Sequence, residues 1–303
     1  MSRVKLIVNP NADLGRAWRT VADIRPLVEE FGDVEWTGTV YPAHATEIAK
    51  QAAANGYELI IAVGGDGTSL EVINGLMQIP TEKRPRLGVI PLGSGNDFSY
   101  GIGMDPDPTT AIRQIFQGKP HPIDIGKITD NHGNLRYWGN AVGIGFDAKA
   151  TINSRRFTYL RGYLIYLMAV LQTIILEHDA PRLQVKTDLE EWEDETIMLV
   201  ICNGKREGGG FLIAPDAKPD DHMYDYATIG KVSRLRMLRL LPEVIRGTHG
   251  RFPDVRMGTL SNLHIKSDRP LTIHTDGEIF SSFTDNVTQI AIELEPGALQ
   301  IIS

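Results

Sequence analysis

An apolar run followed at once by clustered glycines and an acid, "ELIIAVGGDGTSLEVINGLM" at residues 58 to 77, restricts this chain more than any other stretch. "ELIIAV" reads as a buried strand and "SLEVINGLM" as a helix, so the glycines must turn the chain at the carboxyl end of a strand. The pattern recurs on either side. "VKLIV" ends at Asn9-Pro10 and leads into "RAWRTVADIRPLVEEFG", whose apolar spacing is helical up to Gly32. "VEWTGTV" precedes the Ala-rich "HATEIAKQAAANG", closed by Asn55-Gly56, and "RLGVI" supplies a further strand. This β-α-β-α-β-α-β alternation predicts an α/β unit with a parallel sheet covered by helices on both faces and ligands at the carboxyl ends of the strands.

After "HPIDIGKI" the character changes. "RYWGNAVGIGF", "RLQVKTD", "ETIMLVICNG", "LTIHTDGEIF" and "TQIAIELE" predict a mainly β second domain with helical inserts near 154 to 177 and 231 to 246. A chain of 303 residues exceeds the usual size of one core. The expected division is an α/β domain over 1–124, with the final residues able to pack back on it, and a sandwich-like β domain over 125–303.

Hydrophobic and charged fractions of 42% and 23% are those of a soluble globular protein. A net charge of −7 argues against nucleic acid as the main partner, because phosphate neutralisation needs a basic face. The single cysteine, Cys202, excludes an internal disulfide framework, suits a reducing cytoplasm and reads as a small buried hydrophobe in "IMLVICNG". The short apolar run after the N-terminus is no signal-peptide core. The apolar stretch from 159 to 176 is interrupted by Arg161, Gly162 and Gln172, which makes it a poor membrane span and leaves a buried helix or a lipid-facing one.

Two loops follow parallel strands: Gly64-Gly65-Asp66-Gly67-Thr68 and Gly93-Ser94-Gly95-Asn96-Asp97. Glycines let a backbone approach a phosphate, and the start of the next helix adds partial positive charge. Asp66 would repel a bare phosphate, so it makes sense with Mg²⁺ or as a proton acceptor. The plain alternative is a tight turn with Thr68 or Ser69 as helix cap. The loops fit neither a Gly-Lys-Ser/Thr phosphate loop nor a dinucleotide turn.

Six collinear segments, "NPNADLGRA", "VGGDGTSLEVINGL", "PLGSGNDF", "GNAVGIGFDA", "VICNGKREGGGFLIAPDAKPDD" and "HTDGEIF", span residues 9 to 280. Together they resemble the diacylglycerol kinase catalytic-domain family of bacterial lipid kinases, relatives of the sphingosine kinases. GGDGT alone is also found in NAD kinases and phosphofructokinases. The resemblance implies a parallel-sheet domain of the NAD kinase/phosphofructokinase type, a β-sandwich domain, and ATP-dependent phosphoryl transfer to a lipid hydroxyl in a cleft between them. It implies ATP contacts at Asn9, Thr39, Gly64, Gly65, Asp66, Gly67, Thr68, Glu71, Gly93, Ser94 and Asn96, with Ser94 standing where threonine is usual. Glu278 matches the family's proton acceptor, whereas sphingosine kinases usually give that role to the aspartate matching Asp66. Our reading gives Asp66 the metal and Glu278 the proton, with Asp97 and Asp276 in the same metal network. A structural Mg²⁺ is implied at the Asp221 carboxylate and the carbonyls of Lys218 and Met223. Asp147 matches a head-group contact.

Two departures bear on this: His222 and Asp13 stand where the family has glycine. "KVSRLRMLRLLPEVIRG" sets Lys231, Arg234, Arg236, Arg239 and Arg246 among Val232, Leu235, Leu238 and Leu241, a pattern suited to an anionic membrane surface or to an ordinary surface helix. The expected protein is a cytoplasmic, Mg²⁺- and ATP-dependent kinase visiting the inner membrane face, and a homodimer is compatible with the resemblance. Alternatives are a soluble kinase of the NAD kinase type and a catalytically silent lipid- or nucleotide-binding protein.

Overall fold

A computed structural model describes residues 3–15, 17–157, 160 and 162–303; Tyr159 and Arg161 of the long apolar stretch lie outside the described residues. The chain divides into two compact units, Met1–Ile125 with Pro296–Ser303, and Gly126–Glu295.

In the first unit β1 (Val4–Val8) leads through α1 (Ala12–Gly15) and α2 (Ala17–Glu29) to β2 (Val34–Gly38), and α3 (His44–Ala54) leads to β3 (Leu59–Gly64). α4 (Asp66–Leu76) then connects to β4 (Arg86–Pro91), followed by α5 (Asp97–Gly101) and α6 (Pro108–Gln117). The strands lie in the order β2–β1–β3–β4, all parallel. β1 and β3 are buried along their whole length, as strands covered on both faces must be, and this explains their unbroken apolar runs. α2 turns Val21, Ile24 and Val28 inward at helical spacing. α6 is capped by Asp107, whose carboxylate accepts from the Thr110 N–H, and it has Pro108 in its first turn.

The second unit begins within β5 (Pro120–Asp130), which pairs with β6 (Leu135–Trp138). β7 (Ala141–Gly145) runs into α7 (Phe146–Ser154), and α8 (Tyr163–Leu176) precedes β8 (Arg182–Thr187). β9 (Glu191–Cys202) pairs with β8 along its first part and with β7 and β10 (Tyr224–Gly230) along its second, so one strand serves both layers of a sandwich-like fold. After α9 (Arg234–Arg246) come β11 (Val255–Leu260), β12 (Asn262–Ser267), β13 (Ile273–Thr275), β14 (Glu278–Ser281) and β15 (Gln289–Ile302). β13 lies between β7 and β14. β15 carries the chain back to the first unit, where Ile301 pairs with Leu87 of β4.

The α/β and sandwich-like classes match the sequence reading. Local details add to it. "RYWGNAVGIGF" is no single strand: it breaks at Gly139-Asn140, and β7 gives way to α7 at Phe146. β10, β11 and β12 were not anticipated. α8, for which a buried and a lipid-facing helix were both open, turns Ala169, Thr173 and Ile174 inward and leaves Leu164, Ile175 and Leu176 at 54%, 66% and 58% exposure. Cys202 is buried, and burial together with Glu207, Asp147 and Asp225 raises its thiol far from a reactive range.

Candidate active site

In the first unit the two glycine loops interlock. A Cβ added at Gly65 would lie 2.9 Å from the Gly93 Cα, and one added at Gly93 would lie 2.4 Å from the Gly65 Cα, so only glycine at both positions permits this backbone contact. The Gly93 N–H donates to Asn96 Oδ1 at 2.7 Å and Asn96 Nδ2 donates to the Gly93 carbonyl at 2.9 Å, which locks the second loop and occupies the Asn96 amide. Asp66 Oδ1 accepts from the Phe98 N–H at 3.0 Å, tying the first loop to the start of α5. Asp66 and the buried Asp97 converge: a Cβ at Gly95 would lie 3.0 Å from Asp66 Oδ2 and 3.1 Å from Asp97 Oδ2. Asn9 Nδ2 donates to Thr68 Oγ1 at 3.2 Å, and the Thr39 N–H donates to the Val8 carbonyl at 2.8 Å. Gly64 closes β3, Gly67 lies in the first turn of α4, and Ser94 is exposed.

Glu71 has a structural role in addition to the one expected of it. Its two oxygens accept from the Ala43 and Ala45 N–H groups at 2.8 and 3.0 Å, capping α3, whose own cap residue Ala43 has no side-chain acceptor. Glu71 thus shapes the turn after Thr39.

The second unit holds a separate polar centre on β7, β13 and the loop after β9. Asp276, expected within a metal network, is a backbone clamp: its buried carboxylate accepts from the N–H groups of Gly139, Asn140 and Ala141 at 2.8 to 2.9 Å. Burial raises its pKa, and those three N–H bonds only partly oppose the rise. Asp276 takes a left-handed φ of 49° and so sets the turn that presents Glu278. Glu278 itself is exposed and ion-paired to Arg155 at 2.9 Å, while Arg136 donates to the Ile279 carbonyl at 3.0 Å. Beside this turn, His274 Nε2 lies 2.6 Å from Asp147 Oδ2 and 3.7 Å from Glu207 Oε1. Burial pushes Asp147 up, but the adjacent His274 and hydrogen bonds from His274 and Glu207 outweigh it and hold the carboxyl low. Sequence reading missed Arg155, Arg136, Glu207 and His274; their only signal was charge inside segments read as strand, helix or glycine loop.

In the loop before β10, Asp221 Oδ1 accepts from the Met223 N–H at 3.2 Å, and Lys218 is exposed. Asp225 is pushed up to about 6 by burial and by the charges of Asp221 and Asp216. Both departures from glycine occupy left-handed backbone: φ is 63° at His222 and 48° at Asp13.

Paired glycine loops with converging carboxylates on a parallel sheet, together with a sandwich-like unit bearing a clamped acidic turn, define a kinase-type phosphotransferase. The diacylglycerol kinase catalytic domain profile matches residues 3–128, and that of the YegS C-terminal NAD kinase beta sandwich-like domain matches 140–303. The chain belongs to this lipid kinase family. It is 28% identical over 282 residues to the diacylglycerol kinase of Bacillus subtilis (strain 168), covering 92% of this chain and 90% of that protein. It is 31% identical to a probable lipid kinase YegS-like of Chromohalobacter salexigens, covering 88% and 81%. A crystal structure of a candidate diacylglycerol kinase from Bacillus anthracis str. Sterne superposes with a TM-score of 0.79 at 27% identity, covering 99% and 96% of the two chains.

Proposed function

We propose that this kinase transfers the γ-phosphate of ATP, with Mg²⁺, to the hydroxyl of diacylglycerol or a related lipid. The carrying observation is the interlocked pair of glycine loops with Asp66 and Asp97 converging beside Gly95. Phosphoryl transfer needs a cradle for a polyanion, counter-charge, and a carboxylate that takes the acceptor's proton. The loops supply the cradle, assisted by Asn9, Thr39 and Ser94; Asp66 and Asp97 hold the counter-charge; Glu278 takes the proton as Arg155 releases it; Asp147 orients the acceptor. When bound, Mg²⁺ supplies charge neutralisation at the transferred group.

The test is transfer of labelled γ-phosphate to diacylglycerol, monoacylglycerol, sphingosine, ceramide and a polyprenol in mixed micelles, with NAD as soluble competitor and Glu278→Gln beside the wild type. A labelled lipid that vanishes with the variant supports the reading. Folded, ATP-binding protein that labels no lipid overturns it.

A second Mg²⁺ fits the loop before β10. Its donors are oxygens, and Asp225 is raised by burial first and then by the charges of Asp221 and Asp216, a repulsion that a hard cation would relieve. Asp221, with the Lys218 and Met223 carbonyls, would hold it. Mg²⁺ is expected to raise the Tm of the wild type and not of Asp221→Asn, and His222→Gly, which removes roughly 1 kcal/mol of backbone strain, should enlarge the rise. An equal rise in all three would refute the site.

The membrane is the proposed partner. Among the described residues no helix is long and apolar enough to cross it. The exposed apolar side chains of α8 and Leu235 and Leu238 of α9, with the exposed Arg239 and Arg246, would supply the surface that meets it. Arg236 instead pairs with Asp254 at 2.5 Å, and the buried stripe of α9 is Met237, Leu240 and Val244. Leu235→Glu with Ile175→Glu should reduce sedimentation with phosphatidylglycerol vesicles at least ~10-fold and leave activity on a micellar short-chain acceptor unchanged. Undiminished vesicle binding would exclude this surface.

A further inference from the structure

The buried His274 is not accounted for by phosphate binding, metal binding or proton transfer as assigned above. Its side chain is 3% exposed and bridges two parts of the second unit. On one side, the Gly277 N–H donates to Nδ1 at 3.2 Å. On the other, Nε2 lies 2.6 Å from Asp147 Oδ2. An Nδ1 that accepts must carry the lone pair, so the neutral ring holds its proton on Nε2 and donates it to Asp147.

That tautomer also bears on a compact trio of potential metal ligands, Asp147, Glu207 and His274, whose ligand atoms lie within 4.8 Å of one another. A cation taken by Nε2 would force the proton onto Nδ1, directly against the Gly277 N–H, so the cluster is built for hydrogen bonding and not for ligation. The space is also reserved by β7: a Cβ at Gly143 would fall 2.0 Å from Asp147 Oδ2 and 2.2 Å from His274 Nε2.

We infer that His274 is a positioning residue that holds the Glu278 turn through Nδ1 and the acceptor-orienting Asp147 through Nε2, linking the two by one ring. This rests on the proposed function above. The two nitrogens can be separated by substitution. Asparagine places an amide oxygen near Nδ1 and does not reach Asp147; glutamine places an amide nitrogen near Nε2 and offers Gly277 no acceptor. His274→Asn should therefore keep kcat within about twofold of wild type and raise the lipid KM at least ~10-fold, and His274→Gln should do the reverse. Variants whose kcat and KM both stay at wild-type values, or fall together in proportion to lost Tm, overturn the inference.

Nitrogen-15 spectra of the imidazoles, assigned by the signal missing in His274→Gln, report the bridge without any turnover. A neutral Nε2–H tautomer in the wild type that is lost in Gly143→Ala supports the linkage, and an Nδ1–H tautomer overturns it. Absence of lipid labelling by the wild type overturns the proposed function and the kinetic half of this inference, while the spectra still judge the bridge.

Discussion

Asp66→Asn is expected to lower kcat for phosphoryl transfer by about two to three orders of magnitude while changing folding stability by no more than ~0.5 kcal/mol. The geometry separates the two effects. Oδ1 accepts from the Phe98 N–H at 3.0 Å, a bond that an asparagine oxygen retains, so the junction of the first loop with α5 survives. What disappears is the negative charge next to Asp97, on the side where both carboxylates approach Gly95. Loss of that charge removes half of the proposed counter-ion site and leaves the cradle standing. Single-turnover kinetics beside urea unfolding would measure both quantities; a large loss of stability without a specific kinetic defect would show that Asp66 is only a turn residue.

Gly93→Ala should act in the opposite way, through shape. The new methyl would lie 2.4 Å from the Gly65 Cα, an atom of another backbone segment that no side-chain rotation can move aside. Both loops must separate, at a cost of about 1–3 kcal/mol, and ATP affinity should fall at least ~10-fold because two sets of amides are displaced together. Calorimetric titration with ATP, alongside Gly95→Ala, checks this. The alanine at 95 would meet carboxylate oxygens at 3.0 and 3.1 Å, which can shift, so it should weaken binding with less loss of stability. ATP binding by Gly93→Ala at wild-type affinity would mean that the loop contact is incidental.

The contrast between these variants shows which parts of the molecule were legible beforehand. Glycines clustered after apolar strands signal a backbone requirement, read there as approach to a phosphate, and the fold adds a second requirement in the Gly65–Gly93 contact. The parallel sheet was legible for a similar reason, since strands buried on both faces leave unbroken apolar runs. α7 was hidden because nine residues containing Asp147, Lys149 and Asn153 show little helical periodicity. The exposed side of α8 was hidden for the converse reason: its sequence is apolar all round, and only packing decides which side faces solvent. Single charged side chains carry no spacing signal. The roles of Glu71, Asp276 and Arg155, and the Asp147 contact of His274, depend on partners 26 to 137 residues away, and those pairings exist only once the chain has folded.

The return of β15 to the first unit sets an order of events during synthesis. Ile301 lines the outer edge of β4, Arg84 Nη1 donates to the Ala298 carbonyl at 2.8 Å, and the Gly297 N–H donates to Asp124 Oδ1 at 2.7 Å. The strands β1 to β4 of the first unit are translated first, yet the edge of their sheet stays open until Pro296–Ser303 leave the ribosome. A nascent chain therefore carries an unpaired strand edge through the whole synthesis of the second unit, the interval in which it is most exposed to mispairing with other chains and most dependent on chaperones.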